Sequence, residues 1–119
     1  HLAGVANVHV DEKLFDYILD LVAATREHDA VEYGASPRAS LAFLHAGKAA
    51  AAIRGRDYAI PDDLKRLAPL ILSHRLVLDT EAEISGREPR DIVEEVVESV
   101  PTPEYELREA TPSTADDDD

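Results

Sequence analysis

Residues 34–53 read G-A-S-P-R-A-S-L-A-F-L-H-A-G-K-A-A-A-A-I, and the reading of this stretch decides the fold. Ser36-Pro37 is the clearest helix start in the chain. A serine side chain can cap free amides, and proline fits the first helical position because the amide it lacks would have no partner there. Leu41, Leu44, Lys48, Ala49, Ala52 and Ile53 continue the helical spacing, and Gly55 is placed to end it. Gly47 inside the helix costs about 1 kcal/mol relative to alanine. Close approach of a neighbouring helix would offset that cost, and the small side chains of Ala49–Ala52 allow the same approach.

Working outward, Asp11 is positioned as an N-cap ahead of Glu12, whose charge suits a helix N-terminus. Leu14, Phe15, Ile18, Leu19 and Val22 then recur at helical spacing, which predicts an amphipathic helix from Glu12 to about Arg26. Asp29–Ala35 reads as a loop with Gly34 as its flexible point. On the other side, Arg56–Ile60 reads as an extended connector into a third helix that begins Pro61-Asp62-Asp63 and buries Leu64, Leu67, Ala68 and Ile71. Pro69 should kink or break that helix. Arg75–Asp79 alternates like a short strand, and Pro89–Val100 carries a stripe of Ile92, Val93, Val96, Val97 and Val100 opposite acidic residues. Ile60 and Glu88 stand where a serine or threonine would cap better, so local helix boundaries should shift there.

These elements make an all-α fold, a small helical bundle of four or five helices with room for a minor short strand pair. Residues 1–10 read as a linker or short extended lead-in, and residues 11–100 as the helical domain. From Pro101 onward, prolines, Ser/Thr and the terminal Asp116–Asp119 read as a disordered acidic tail over residues 101–119.

The chain has 119 residues and a formal charge of −13, which argues against a nucleic-acid partner, since a phosphate-backbone binder needs a cationic face. Twenty-five acids against nine arginines and three lysines also resemble a surface adapted to high salt, so acidity alone names no cationic partner. With no cysteine there is no disulfide scaffold, thiolate zinc site or Cys nucleophile. His1, His9, His28, His45 and His74 show no pair at metal-ligand spacing, so no metal site is expected. Gly47-Lys48 mimics the end of a phosphate loop, but positions 42 and 49 are both alanine where the pattern needs Gly and Ser or Thr. No apolar run approaches the roughly 20 residues of a membrane span, and a cytoplasmic location is the default expectation. The absence of methionine, even at position 1, makes the chain read as a fragment of a longer protein or a processed one.

Arg38 is the residue that local rules do not explain. It sits on the first turn of its helix, where positive charge is mismatched to the helix dipole. An anion shared between the helix end and the guanidinium would resolve the mismatch. An exposed arginine tolerated at a cost of a few tenths of a kcal/mol (about 0.3) is the alternative.

The segment Gly34-Ala35-Ser36-Pro37-Arg38-Ala39, followed by its Leu/Ala helix, resembles the C-terminal helical lid of the MoxR branch of AAA+ ATPases. Further segments match in the same order: Asp16-Tyr17-Ile18, Ala24-Thr25-Arg26, Gly55-Arg56-Asp57-Tyr58, Pro61-Asp62-Asp63, His74-Arg75-Leu76 and the closing amphipathic helix. The resemblance covers roughly Val8 to Pro103. It implies that Arg38 is a second sensor, reaching from the lid to the γ-phosphate of ATP held by the main α/β domain. Ser36 and Pro37 would then set the helix start that aims Arg38, and Gly34 would permit the backbone turn near the nucleotide. The implied cofactor is ATP with Mg²⁺, both bound by a core domain outside this sequence, because the phosphate-loop, Walker B and first-sensor elements are absent from it. The implied partners are that core, neighbouring subunits of a ring and a client protein that is remodelled or matured, often by metal or cofactor insertion. Alone, the chain should be folded and catalytically inert. Arg26, Arg56 and Arg75 are read either as contacts to ring neighbours or as solvated or salt-bridged surface arginines. The rival class is a stand-alone helical interaction module with no nucleotide role.

Overall fold

Asp11 opens the first helix as expected: its carboxylate accepts from the Lys13 amide at 2.8 Å, and α1 runs Glu12–Glu27. A computed structural model describes residues 8–104 of the chain. The buried stripe of α1 is Leu14, Tyr17, Ile18, Leu21, Val22 and Thr25, so its centre lies nearer Tyr17 and Leu21 than the periodicity suggested. Leu19 faces outward, 41% exposed.

The segment after α1, where the sequence pattern predicts a loop over Asp29–Ala35, holds β1 (Val31–Tyr33). It pairs antiparallel with β2 (Val77–Leu78), Val31 opposite Leu78 and Tyr33 opposite Val77, with an irregularity between. Strand-like alternation around Arg75–Asp79 thus finds its partner far away in sequence, which no local pattern announces. Between them lie α2 (Ala39–Ile53) and α3 (Pro61–Leu72). Gly55 ends α2 with φ of +78°, the left-handed conformation in which glycine carries no side-chain penalty. Gly47 is buried against α3, where a Cβ would come within 3.0 Å of Leu64 Cδ2. The predicted close approach of two helices is therefore present.

α3 passes through Pro69 without a break and ends in a 3₁₀ turn, Ser73–Arg75. The proline removes one amide late in the helix, while Leu64, Ala68 and Leu72 on the same face are essentially inaccessible to solvent. Burial of three apolar side chains holds the last turn in place, and the helix is not broken there. Neither Ile60 nor Glu88 shifts its helix start. In each case the N3 carboxylate reaches back: Asp63 Oδ2 accepts from the Ile60 amide at 2.9 Å, and Asp91 Oδ2 from the Glu88 amide at 3.3 Å.

A short helix, α4 (Thr80–Ile84), follows β2 and is capped by Asp79, which accepts from the Ala82 amide at 2.8 Å. Five residues give no periodicity to read, so this helix has no signature in the sequence. The last helix, α5 (Pro89–Ser99), buries Ile92, Val93 and Val96. The core gathers these with Leu14, Ile18, Leu21, Phe43, Leu64 and Leu72, giving a helical bundle with one minor strand pair. Residues 8–10 run extended beside the α2–α3 connector: the His9 amide donates to Asp57 O (2.8 Å) and the Ala59 amide to His9 O (3.0 Å). Val8 is buried in the core. Of the lead-in expected over residues 1–10 and the tail expected over residues 101–119, residues 1–7 and 105–119 lie outside the described residues.

Two side-chain clusters pin the bundle. Arg56 grips Asp63 with two hydrogen bonds, Nη1 to Oδ2 at 2.9 Å and Nη2 to Oδ1 at 2.8 Å, and its Nη1 also donates to Tyr58 O at 3.0 Å. Asp63 is 1% exposed. Burial alone would raise its pKa, but the Arg56 hydrogen bonds, the Ile60 amide and the charges of Arg56 and Arg66 outweigh that and hold it below the usual carboxylate value. At the other end, His28 Nδ1 accepts from the Ala30 amide (3.0 Å), so the opposite nitrogen, Nε2, donates to Glu95 Oε1 at 2.8 Å. Arg87 donates to the second oxygen of Glu95 at 2.7 Å. The His28 and Arg87 hydrogen bonds lower the Glu95 pKa.

Candidate functional site

Gly34, Ser36, Pro37 and Arg38 lie on the connection from β1 to α2. Gly34 is half-buried, while Ser36, Pro37 and Arg38 are exposed. Arg38 itself takes the N-cap position of α2, in helical conformation and without a side-chain cap bond. The expected serine side-chain cap is therefore not formed; Ser36 contributes its backbone carbonyl, which accepts from the Ala39 amide at 2.9 Å. Two more such bonds follow, Ser40 N–H to Pro37 O (3.0 Å) and Leu41 N–H to Arg38 O (3.1 Å). Each spans three residues, so the helix opens with a tight 3₁₀-type turn that moves the regular helix to Ala39.

That opening turn changes the electrostatic reading. The amides of residues 39–41 already donate within the chain, so they are not an open cradle for an anion. What the site presents is the guanidinium. Among the described residues, no hydrogen bond or ion pair joins the Arg38 guanidinium to another group. The first turn of α2 has no acidic residue, and no carboxylate occurs between Glu32 and Asp57 in a chain with 25 acids. In the sequence Arg38 lies six residues from the nearest acid, Glu32.

The loop that carries Arg38 is fastened to the last turn of α1. Thr25, fully buried, donates through Oγ1 to Val22 O at 2.6 Å and accepts from the Ala35 amide at 3.0 Å. Arg26 Nη1 donates to Ala35 O at 2.9 Å. Both backbone polar groups of Ala35 are thus satisfied by consecutive residues of α1. Gly34 has a specific steric reason: a Cβ there would lie 2.6 Å from the Arg26 Cα and N. Its role is close approach of two backbones, and the sequence had suggested only a flexible turn. Arg26, expected either to contact a ring neighbour or to stand as a solvated or salt-bridged surface arginine, donates to this carbonyl, a bond that spacing alone gives no means of finding.

The sequence model of the AAA lid domain matches residues 23–96, more than half of the chain and most of the bundle just described. The chain belongs to the AAA lid domain family. The Mycobacterium tuberculosis protein named Chaperone MoxR1 is 38% identical over 108 residues, covering 83% of this lid and 29% of that protein. YeaC of Bacillus subtilis, an uncharacterized protein, is 42% identical over 99 residues, covering 83% of the lid and 31% of YeaC. The crystal structure of a candidate ATPase from Cytophaga hutchinsonii superposes with a TM-score of 0.81 at 36% identity, covering 86% of the lid and 34% of that chain. The lid thus spans about a third of the length of the relatives it matches. The resemblance to MoxR-type lids holds, and so does the helical fold with its minor strand pair. Among the described residues, no helix is long and apolar enough to cross a membrane, and no group of His, Cys, Asp or Glu is arranged to hold a metal ion.

Proposed function

We propose that this chain is the nucleotide-sensing lid of a MoxR-type AAA+ ATPase, and that Arg38 is its sensor, contacting the γ-phosphate of ATP bound by a separate α/β core. The observation that carries the reading is Arg38 itself: an exposed guanidinium at an uncapped helix start, with no described partner. A polyanion facing this cation removes its mismatch with the helix dipole and gains charge-assisted hydrogen bonds. Gly34, Ser36 and Pro37 shape the turn that presents it. Mg²⁺ and the hydrolytic groups belong to the core, so the lid alone is inert. Forming and breaking the γ-phosphate contact rotates the lid against the core and its neighbours in a ring, and the movement is passed to a client protein. The relative named as a chaperone supports a remodelling role. Residues 11–100 form the lid, residues 1–10 lead in from the core, and residues 101–119 are an acidic tail.

ATP turnover of the full-length protein carrying this lid, wild type against Arg38→Ala, tests the reading. A fall of about tenfold or more, equivalent to about 1.4 kcal/mol in the barrier, is expected with folding intact. Unchanged turnover removes Arg38 from the mechanism.

A further inference from the structure

We propose that Thr25 and Arg26 are positioning residues for Arg38, gripping the two backbone polar groups of Ala35 and thereby fixing where α2 begins. This rests on the sensor reading of Arg38. Three independent features converge on the same point of the loop. The Thr25 hydroxyl receives the Ala35 amide from within the core, the Arg26 guanidinium closes on the Ala35 carbonyl from outside, and Gly34 lies too close to the Arg26 backbone for any side chain.

The arrangement matters because α2 lacks a side-chain cap of its own. Its first turn makes three short-range bonds whose acceptors are Ser36, Pro37 and Arg38. A turn without a side-chain cap takes its position in part from what precedes it, and what precedes Ser36 is Ala35, tied at both its amide and its carbonyl. The Thr25 hydroxyl is itself oriented: by donating to Val22 O, it turns a lone pair toward the Ala35 amide. A guanidinium must reach a phosphate oxygen within hydrogen-bond distance, and misplacing a catalytic contact by about 1 Å can cost about 100-fold in rate. The last turn of α1 is therefore part of the sensing apparatus, although neither of its residues needs to touch the nucleotide.

The test uses the full-length protein, with ATP turnover measured well below the thermal midpoint of every variant. Thr25→Val preserves shape and removes the acceptor, Thr25→Ser restores it, and Arg26→Met keeps the stem and removes the donor. Thr25→Val and Arg26→Met are each expected to lower kcat at least threefold, with Thr25→Ser close to wild type. In an Arg38→Ala background, the same two substitutions should produce no further loss of kcat, because the group they aim is gone. Full additivity with Arg38→Ala overturns the proposal, as does a lowered thermal midpoint with unchanged kcat. If Arg38→Ala lowers turnover while Thr25→Val and Arg26→Met do not, the positioning role fails and the sensor reading stands. If Arg38→Ala itself leaves turnover unchanged, the sensor reading fails and this proposal with it.

Discussion

The starts of α2 and α3 solve the same problem in opposite ways. At α3, proline occupies the first position, two acids follow, Asp63 reaches back to the Ile60 amide, and Arg56 neutralises it with a two-pronged grip in the protein interior. Asp63, Arg56 and the Ile60 amide there are all partnered within the domain. At α2, the cap residue is an exposed arginine with no side-chain bond and no acid in the first turn. Helix starts built for stability carry negative charge and an internal cap. One that keeps a cation at the surface gives up a little stability. On the sensor reading proposed above, the contrast separates a structural helix start from a functional one.

Removing Asp63 gives the largest effect expected from this contrast. Asp63→Asn deletes the carboxylate that holds both Arg56 and the Ile60 amide, and denaturant unfolding should show a loss of about 3 kcal/mol. The same pair sets an acid dependence. The folded pKa of Asp63 lies below its unfolded value, so between the two the unfolded chain binds more protons and stability rises with pH. The contribution is fully present above the unfolded value of about 3.9 and is lost as pH falls through the folded one. Unfolding measured across that window should show a smaller slope for Asp63→Asn than for wild type; equal slopes would mean that the pair is not coupled to folding.

Gly34→Ala comes next. Its Cβ would collide with the Arg26 backbone, forcing loop and helix apart at a cost of about 2 kcal/mol. A neutral result in thermal unfolding would show that the loop is not held against α1.

The smallest effect on stability is at Arg38, and its sign is the informative part. Arg38→Glu replaces a mismatched charge by a matched one and should stabilise the chain by a few tenths of a kcal/mol (about 0.3) at low salt. Turnover of the full-length protein should fall sharply with the same change. A destabilised Arg38→Glu lid would mean that Arg38 holds the fold together, and the contrast between the two helix starts would be lost.

The legible part of the molecule was the part written in short-range pattern. Asp11 capping α1, the proline starts at Pro61 and Pro89, the Gly55 stop and the stripe on α5 all depend on residues within about four positions of one another, the reach of a helical turn. Arg38 could be singled out for the same reason: its conflict with the helix dipole is a local fact.

The arginines divide along that line. Arg38 was readable because its oddity lies in what surrounds it in sequence. Arg26 and Arg56 were ambiguous because the Ala35 carbonyl and the Asp63 carboxylate become their partners only once loop and helix are folded together. Sequence alone determined the long helices and the mismatched cation at position 38, while the short α4, the buried face of α2 and the missing serine cap were not legible in it. Tertiary structure decided the pairing of Val31–Tyr33 with Val77–Leu78, the uninterrupted passage of α3 through Pro69, and the hold of Thr25 and Arg26 on Ala35. The physical reason is the separation of the partners. A bond between distant segments, or a helix turn held by its buried face, depends on how the whole chain packs, and no window of neighbouring residues contains that information.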